Sequence, residues 1–502
     1  MGIFRRLIGN NKNPLSSFTI GCPEAEGESG NQINIVDVFE DFLGITSELA
    51  NGKFIVSGRK GSGKSAIAEY ILNLADNEAN LFAMKVNMSD FKIHRLLEIS
   101  NDAHIDEAFL IEWVLYTNFA KLLVTNESVK SNSQTKPLER FLRMNVGYVN
   151  ITDSAVREMI ETKGWNVNTG NLLDVAGKVG LDFKKEYKSR RPYYYETLPI
   201  LRDVISTIIS MECQKNNTSE YIVFIDDLDV NVSINDKKSV DIIYHLVKIA
   251  RDFNLQYNGI FKVILLLRED ISKYISENYS DSGKIFSSYS VSINWYDARK
   301  FNKDENLVDL KKFINKRILR CFNNANIPCG DDPWYSLIDV SFEQYQKSSF
   351  EVVLQSTFLR PRDIISFFTR LSTCPPEIPI KKDGFDELFL GLADCIFTEI
   401  CNELTFYYDD YELDVCKAVM NHFSRKNPFN IDDFHTFIQQ YNIDRYKLLQ
   451  RFWDYSIIGN IEYASGKKIV HFSHRDEQIN TEMDFIIATP IRNHFNRNNL
   501  FY

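Results

Sequence analysis

The chain has 502 residues, 44% of them hydrophobic and 25% charged, with a formal net charge of −10. That length predicts about two to four domains, and the composition is ordinary for a soluble globular protein. The acidic balance argues against a protein whose main task is to coat nucleic acid. The eight cysteines are scattered and form no C-x-x-C pair, the pattern of free thiols in a reducing cytosol. The opening "MGIFRRLIGNNKNP" has too short an apolar segment for a signal peptide, and Arg6 breaks the myristoylation pattern that Gly2 would begin. The longest apolar runs, such as "KVILLL" (262–267), are strand-sized, so no membrane span and a cytoplasmic location are expected.

In chain order, residues 1–44 form an N-terminal segment and 45–300 an α/β core. "KFIVSG" (53–58) reads as a short buried strand and "KSAIAEYILNLA" (64–75) as an amphipathic helix. Between them "GRKGSGKS" fits G-x-x-x-x-G-K-[ST] at Gly58, Gly63, Lys64 and Ser65. In that context the backbone N–H groups of Gly58, Arg59, Lys60, Gly61, Ser62, Gly63, Lys64, Ser65 and Ala66 wrap the phosphates of a nucleoside triphosphate. Lys64 reaches the outer phosphates and the Ser65 hydroxyl ligates Mg²⁺. "LFAMKVN" (81–87) supplies a second strand.

An insertion at about 88–200 follows. Within it "IDEAFLIEWVLYTNFAKLLV" (105–124) reads as a helix with a broad apolar face, "KSNSQTKPLERF" (130–141) as a polar loop, and 168–196 as a strand or loop excursion. "KKEYKSRRPYYYE" packs five basic residues and four tyrosines into thirteen positions, and Lys188, Arg190 and Arg191 are where nucleic acid would first be sought. A solvated loop with tyrosines packed back on the core is the preferred reading.

"YIVFIDDLD" (221–229) is a buried strand ending in carboxylates. Asp226 at its tip would hold Mg²⁺ through water, and Asp227 would orient or deprotonate the attacking water. Asp227 is shorter than the glutamate common at that position, which predicts slow hydrolysis. "KKSVDIIYHLVKIARDF" (237–253) makes the crossover helix to "FKVILLLRED" (261–270), whose Arg268 at the strand end would sense the γ-phosphate. "YSVSINW" (289–295) is a fifth strand, and five strands alternating with helices predict a doubly wound parallel sheet. Residues 301–385 read as a helical lid: a helix at 304–322, then Arg360-Pro361-Arg362-Asp363 opening a helix that runs to 372. Arg360 or Arg362 would reach the phosphates; the alternative is an Arg pair capping a helix.

With these segments the chain resembles the AAA+-related P-loop ATPases of the STAND and KAP kind. The resemblance rests on "GRKGSGKSA", "VFIDDLD", the strand ending in Arg268, "INW" and "RPRD", and covers roughly residues 45–380. It implies an ATP- and Mg²⁺-dependent conformational or oligomeric switch of bacterial signalling or antiphage defence. The partners it implies are copies of itself or a separate effector chain. KAP members usually carry inserted membrane helices, and STAND proteins an effector and a repeat sensor; neither is evident here. Arg251, Arg299 and Arg317 are candidates for an arginine finger by position alone.

Residues 386–502 predict a winged helix. Helices at 410–424 and 430–441, the second capped at Asn430, precede a helix running into a strand over 444–461 and a hairpin over 461–474 with Ser465-Gly466 at its tip. The domain has 11 basic against 18 acidic residues, which favours a protein contact over DNA. His471 and His474 lack the spacing of a metal pair. Two alternatives to the ATP switch stand: an origin-recognition-like DNA-binding ATPase, and a scaffold that holds ATP without hydrolysing it.

Overall fold

Each of the five apolar runs is a strand, because β-branched and aromatic side chains fill a pleated surface covered on both faces. The structure is a computed structural model that describes residues 15, 18–24, 27, 34–87, 107–130, 135–145, 172, 194–214, 219–228, 237–257, 259–301, 303–343, 346–375, 377–464, 467–475, 478–497 and 500. The chain divides into two units, one formed by Gly44–Arg59 and Ile67–Ile293, the other by Met1–Leu43, Lys60–Ala66 and Asn294–Tyr502.

The first unit is built on β1 (Ile55–Gly58), β2 (Leu81–Asn87), β3 (Glu220–Asp226), β4 (Phe261–Arg268) and β5 (Ser290–Ile293). All pairings are parallel and the order is β2-β3-β4-β1-β5. Among its helices are α1 (Lys64–Ala75, in this unit from Ile67 on), α2 (Glu107–Thr125), α3 (Tyr194–Gln214), α4 (Lys237–Tyr257) and α5 (Glu269–Asn278). Glu69 of α1 meets Lys85 of β2 at 2.6 Å with both side chains nearly buried, which ties the first crossover to its destination strand. Helix α2 lies on β2 and β3 and against α3 and α4, while α5 lies on β1 and β4. Phe119 of α2 stacks on Phe253 of α4 and meets Phe261 of β4 edge-on, so helix, helix and strand share one aromatic cluster.

The chain leaves β1 toward the β2 edge of the sheet and leaves β4 toward the β5 edge. β1 and β4 are neighbours, so the topological switch lies between them, at the carboxyl edge where open α/β sheets bind ligands.

Two expectations in the insertion need correction. Residues 135–141 of the segment read as a polar loop belong to a helix, Thr135–Met144. Leu138, Phe141 and Leu142 are buried at helical spacing, and Pro137 sits in the first turn where its missing N–H costs nothing. The second concerns membrane spans: Ala108–Thr125 is long and apolar enough to cross a bilayer by length and composition. Of that stretch 67% is buried inside the protein, so its apolar side chains serve the core of the unit. Lys188, Arg190 and Arg191 of the basic tyrosine-rich segment lie outside the described residues, whereas its last three residues, Tyr194–Glu196, are not loop or strand but open α3.

The second unit contains α6 (Asp309–Ala325), α7 (Pro361–Phe367), α8 (Lys382–Leu404), α9 (Asp410–Arg425), α10 (Ile431–Ile438) and α11 (Arg445–Asp454). These are followed by β6 (Ile458–Ala464), β7 (Lys467–His471), β8 (Asp484–Ile487) and α12 (Thr489–Phe495). Pro361 takes the first position of α7, and the helix tightens into a 3₁₀ turn at Phe368–Thr373 instead of continuing to 372 as α-helix. Asn430 caps α10 with a reciprocal capping box to Asp433. β6 and β7 form the predicted hairpin, and β8, which was not anticipated, pairs with the other side of β6. One hydrophobic core runs from Leu15, Phe18 and Ile20 through α6, α7 and α8 to Ile491 of α12. The N-terminal residues are fastened to α6 through their carbonyls: Ile20 accepts from Arg317 Nη1 at 3.2 Å and Thr19 from Cys321 Sγ at 3.3 Å.

Candidate functional site

Gly58 ends β1, the chain turns through Arg59–Gly63, and Lys64 and Ser65 are the first two residues of α1. The turn requires left-handed backbone at Gly61 (φ 78°) and Gly63 (φ 104°), with Ser62 between them outside that region. A Cβ on Gly61 would also lie 2.9 Å from Arg362 Cβ. Three consecutive loop carbonyls are held by donors from the same unit. Lys60 O accepts from Arg360 Nη1 at 3.0 Å, Gly61 O from the Arg362 backbone N–H at 3.3 Å, and Ser62 O from Trp295 Nε1 at 2.9 Å. In a trans peptide the N–H points opposite its carbonyl, so the N–H groups of Gly61, Ser62 and Gly63 are turned to the other side of the loop. Alternating φ signs make such N–H groups converge, an arrangement suited to an anion and reinforced by the N-terminus of α1. Ser62 is 3% exposed and its Oγ is buried without a hydrogen-bond partner.

On the sheet, Asp226 ends β3 and is 4% exposed. Its Oδ1 accepts from the Asp227 N–H at 2.9 Å, whereas Oδ2 is buried with no partner. Asp227 adopts φ 55°, a left-handed conformation rare outside glycine and concentrated at functional sites. Sequence reasoning missed Asn87, the last residue of β2, which is in register with Asp226 and whose Oδ1 is likewise buried and unpartnered. The signal was slight: one polar residue closing "LFAMKVN". Hard oxygens of this kind suit a hydrated divalent cation such as Mg²⁺, and the donor chemistry of Asp226 fits that group.

Arg268 ends β4 in register with Gly58, next to the start of the loop. Its guanidinium forks onto Asp270, Nε to Oδ1 at 3.1 Å and Nη2 to Oδ2 at 2.6 Å. It reaches the strand end as expected, already engaged by a carboxylate.

Arg360 requires a correction. Arg360 is 1% exposed and every N–H of its guanidinium is used. Nε donates to both Asp363 oxygens at 3.0 and 3.1 Å, Nη1 to Lys60 O and to Glu403 Oε1 at 3.1 Å, and Nη2 to Asp363 Oδ1 at 2.7 Å and Glu399 Oε2 at 3.2 Å. Burial alone would lower its pKa, but the carboxylates of Asp363, Glu403 and Glu399 together hold it above the ordinary value. Burial likewise raises the Glu399 carboxyl, against the pull of Arg360 and Arg362. Arg362 donates its Nε to Pro23 O at 3.0 Å and its Nη1 to Glu399 at 3.2 Å. These side chains therefore touch the loop's backbone and one another, and Arg360 has no donor left for a phosphate.

Of the finger candidates, Arg317 is 4% exposed beneath the N-terminal segment, so burial removes it from that role. Arg251 pairs with Asp252, and Arg299, with 91% of its side chain exposed, pairs with Asp297. His471 Nε2 meets Glu462 Oε2 at 2.9 Å, and among the described residues no group of three or more His, Cys, Asp or Glu side chains is placed to hold a metal ion. Comparison with protein-family models matched none, and comparison with curated proteins found no match.

Proposed function

We propose that this chain is a P-loop ATPase of the AAA+-related kind that binds ATP with Mg²⁺ at the carboxyl edge of its sheet and uses the bound nucleotide as a switch. The observation that carries the reading is the buried, unpartnered Oδ2 of Asp226, at the carboxyl edge of the sheet in which β1 feeds the glycine-rich loop. A buried acceptor without a donor costs about 1–3 kcal/mol, and the water shell of a nucleotide-bound cation would supply the donor. In this reading the loop's N–H groups and Lys64 bind the phosphates, and the Ser65 hydroxyl and Asp226 hold the hydrated Mg²⁺. The cation's chemistry is to draw charge from the phosphate oxygens. Asp227 orients the attacking water and accepts its proton; its short side chain favours slow turnover. Arg268 senses the terminal phosphate after exchanging Asp270 for it.

The α9–α11 helices and the β6–β7 hairpin support a winged helix with a protein-contacting role, its acidic balance disfavouring a DNA backbone. A place in antiphage defence rests on family resemblance alone.

Equilibrium binding of ATP in Mg²⁺ tests the assignment. Wild type should bind, and Lys64→Ala should bind at least about tenfold more weakly, a charge-assisted contact being worth about 1.5–3 kcal/mol. Asp227→Asn should keep binding and lose turnover. Wild-type protein that binds no nucleotide overturns the reading.

A further inference from the structure

Three donors more than two hundred residues from the loop in the chain meet three successive carbonyls of it, and none of them was expected to bond its backbone. Trp295 lies just past β5, Arg360 precedes α7 and supplies its side chain, and Arg362 lies in the first turn of α7 and supplies its backbone N–H. A glycine-rich loop is flexible by composition, since Gly61 and Gly63 lose more conformational freedom on ordering than other residues do. A loop left free would lose that freedom on binding, at the expense of affinity; a loop already bent does not.

We propose that Trp295, Arg360 and Arg362 are positioning residues that hold loop 60–63 in its phosphate-binding bend before any phosphate arrives. The inference rests on the ATP-binding reading above and adds to it where the loop's preorganisation comes from. Two features support it beyond the hydrogen bonds. The Arg362 side chain lies so close to Gly61 that the loop is gripped by packing as well, and the Trp295 ring is itself wedged against Phe42 and Phe313, with ring centroids 6.4 and 5.9 Å away. Ser62, the residue these donors surround, keeps a buried Oγ without a partner, a hydroxyl available to an incoming acceptor. Arg360 is in turn fixed by carboxylates from two turns of α8, Glu399 and Glu403, so the bend of the loop is set by the seating of that helix.

Removing Arg360 would strand buried carboxylates and weaken the fold as well as the loop, so the informative variant is Trp295→Phe. It keeps an aromatic ring between Phe42 and Phe313 and removes the N–H to Ser62 O along with the rest of the indole, a loss of ring that the control below shares. ATP and ADP should bind roughly threefold to tenfold more weakly, the range of one lost hydrogen bond. The matched control is Trp334→Phe, which deletes the Nε1 bond to Ser349 Oγ at 3.0 Å inside the core of the same unit. That variant should lower the melting temperature without nucleotide and leave the nucleotide affinity at the wild-type value. Equal affinity in Trp295→Phe and wild type overturns the inference, as does equal weakening in the two tryptophan variants. Wild-type protein that binds no nucleotide sinks the ATPase reading itself, a separate outcome.

Discussion

Arg360 shows how a residue's surroundings reverse the role its motif suggests. An arginine at the start of a helix near a phosphate loop reads as a phosphate ligand, but a guanidinium saturated by Asp363, Glu399 and Glu403 has its charge already neutralised. Such a pair is weak evidence for net stability, since the desolvation of the charges offsets their attraction; losing one partner is another matter. Arg360→Ala should destabilise the protein by about 3–5 kcal/mol because Asp363 and Glu403 stay buried and uncompensated. The midpoint of urea unfolding checks this, and a midpoint within error of wild type would show that the cluster relaxes by taking in water. Asp226 and Asn87 are the opposite case: buried acceptors that lack a donor, as a site built for a ligand would leave them.

At the scale of elements, α9 carries a titration. His422 stacks on the Phe437 ring at 4.0 Å, and burial, then the nearby Lys426 ammonium, depress its pKa, with Asp433 pulling the other way. His435 of α10 is depressed as well, by burial and then by Arg445, against Asp432. A depressed histidine favours the neutral folded form. Its stabilisation is full above the ordinary histidine value and is lost as pH falls from there through the folded value. Denaturation midpoints should therefore drop as the pH is lowered from about 7 toward about 5.5. His422→Phe, which preserves the stacking, should make that slope shallower. A slope as steep as wild type would place the pH sensitivity elsewhere.

For the molecule as a whole, the switch reading makes a claim about mass. Added Mg·ATP should convert wild-type protein to a discrete larger species in solution, and Lys64→Ala should remain at its starting mass under the same conditions. Light scattering behind a sizing column distinguishes the cases. An unchanged mass in wild type that does bind ATP would mean that the nucleotide gates a contact with another protein instead of self-association. ATP should also raise the melting temperature of wild type, and that of Lys64→Ala by markedly less, since a ligand bound only by the folded state stabilises it by about 2.7 kcal/mol at a hundredfold excess over Kd.

Local periodicity alone was enough to read the five strands, the crossover helix α4, the helices α9 to α11 and the hairpin, because each is specified by side chains a few positions apart. The glycine-rich loop and the Asp226 strand tip were legible for the same reason: turn chemistry and a run of buried apolar residues are written in contiguous sequence. The helix at Thr135–Met144 was missed because polar residues at its start hid three buried positions, and β8 because a four-residue strand carries too few alternations to stand out. What the tertiary structure decided was partnership. Trp295 meets Ser62 across 233 residues and Arg360 meets Lys60 across 300, and no local pattern encodes a hydrogen bond between such distant positions. Residue type and spacing thus determined which groups this chain possesses, while packing determined which of them are engaged by one another and which, like Asp226 Oδ2, are left without a donor.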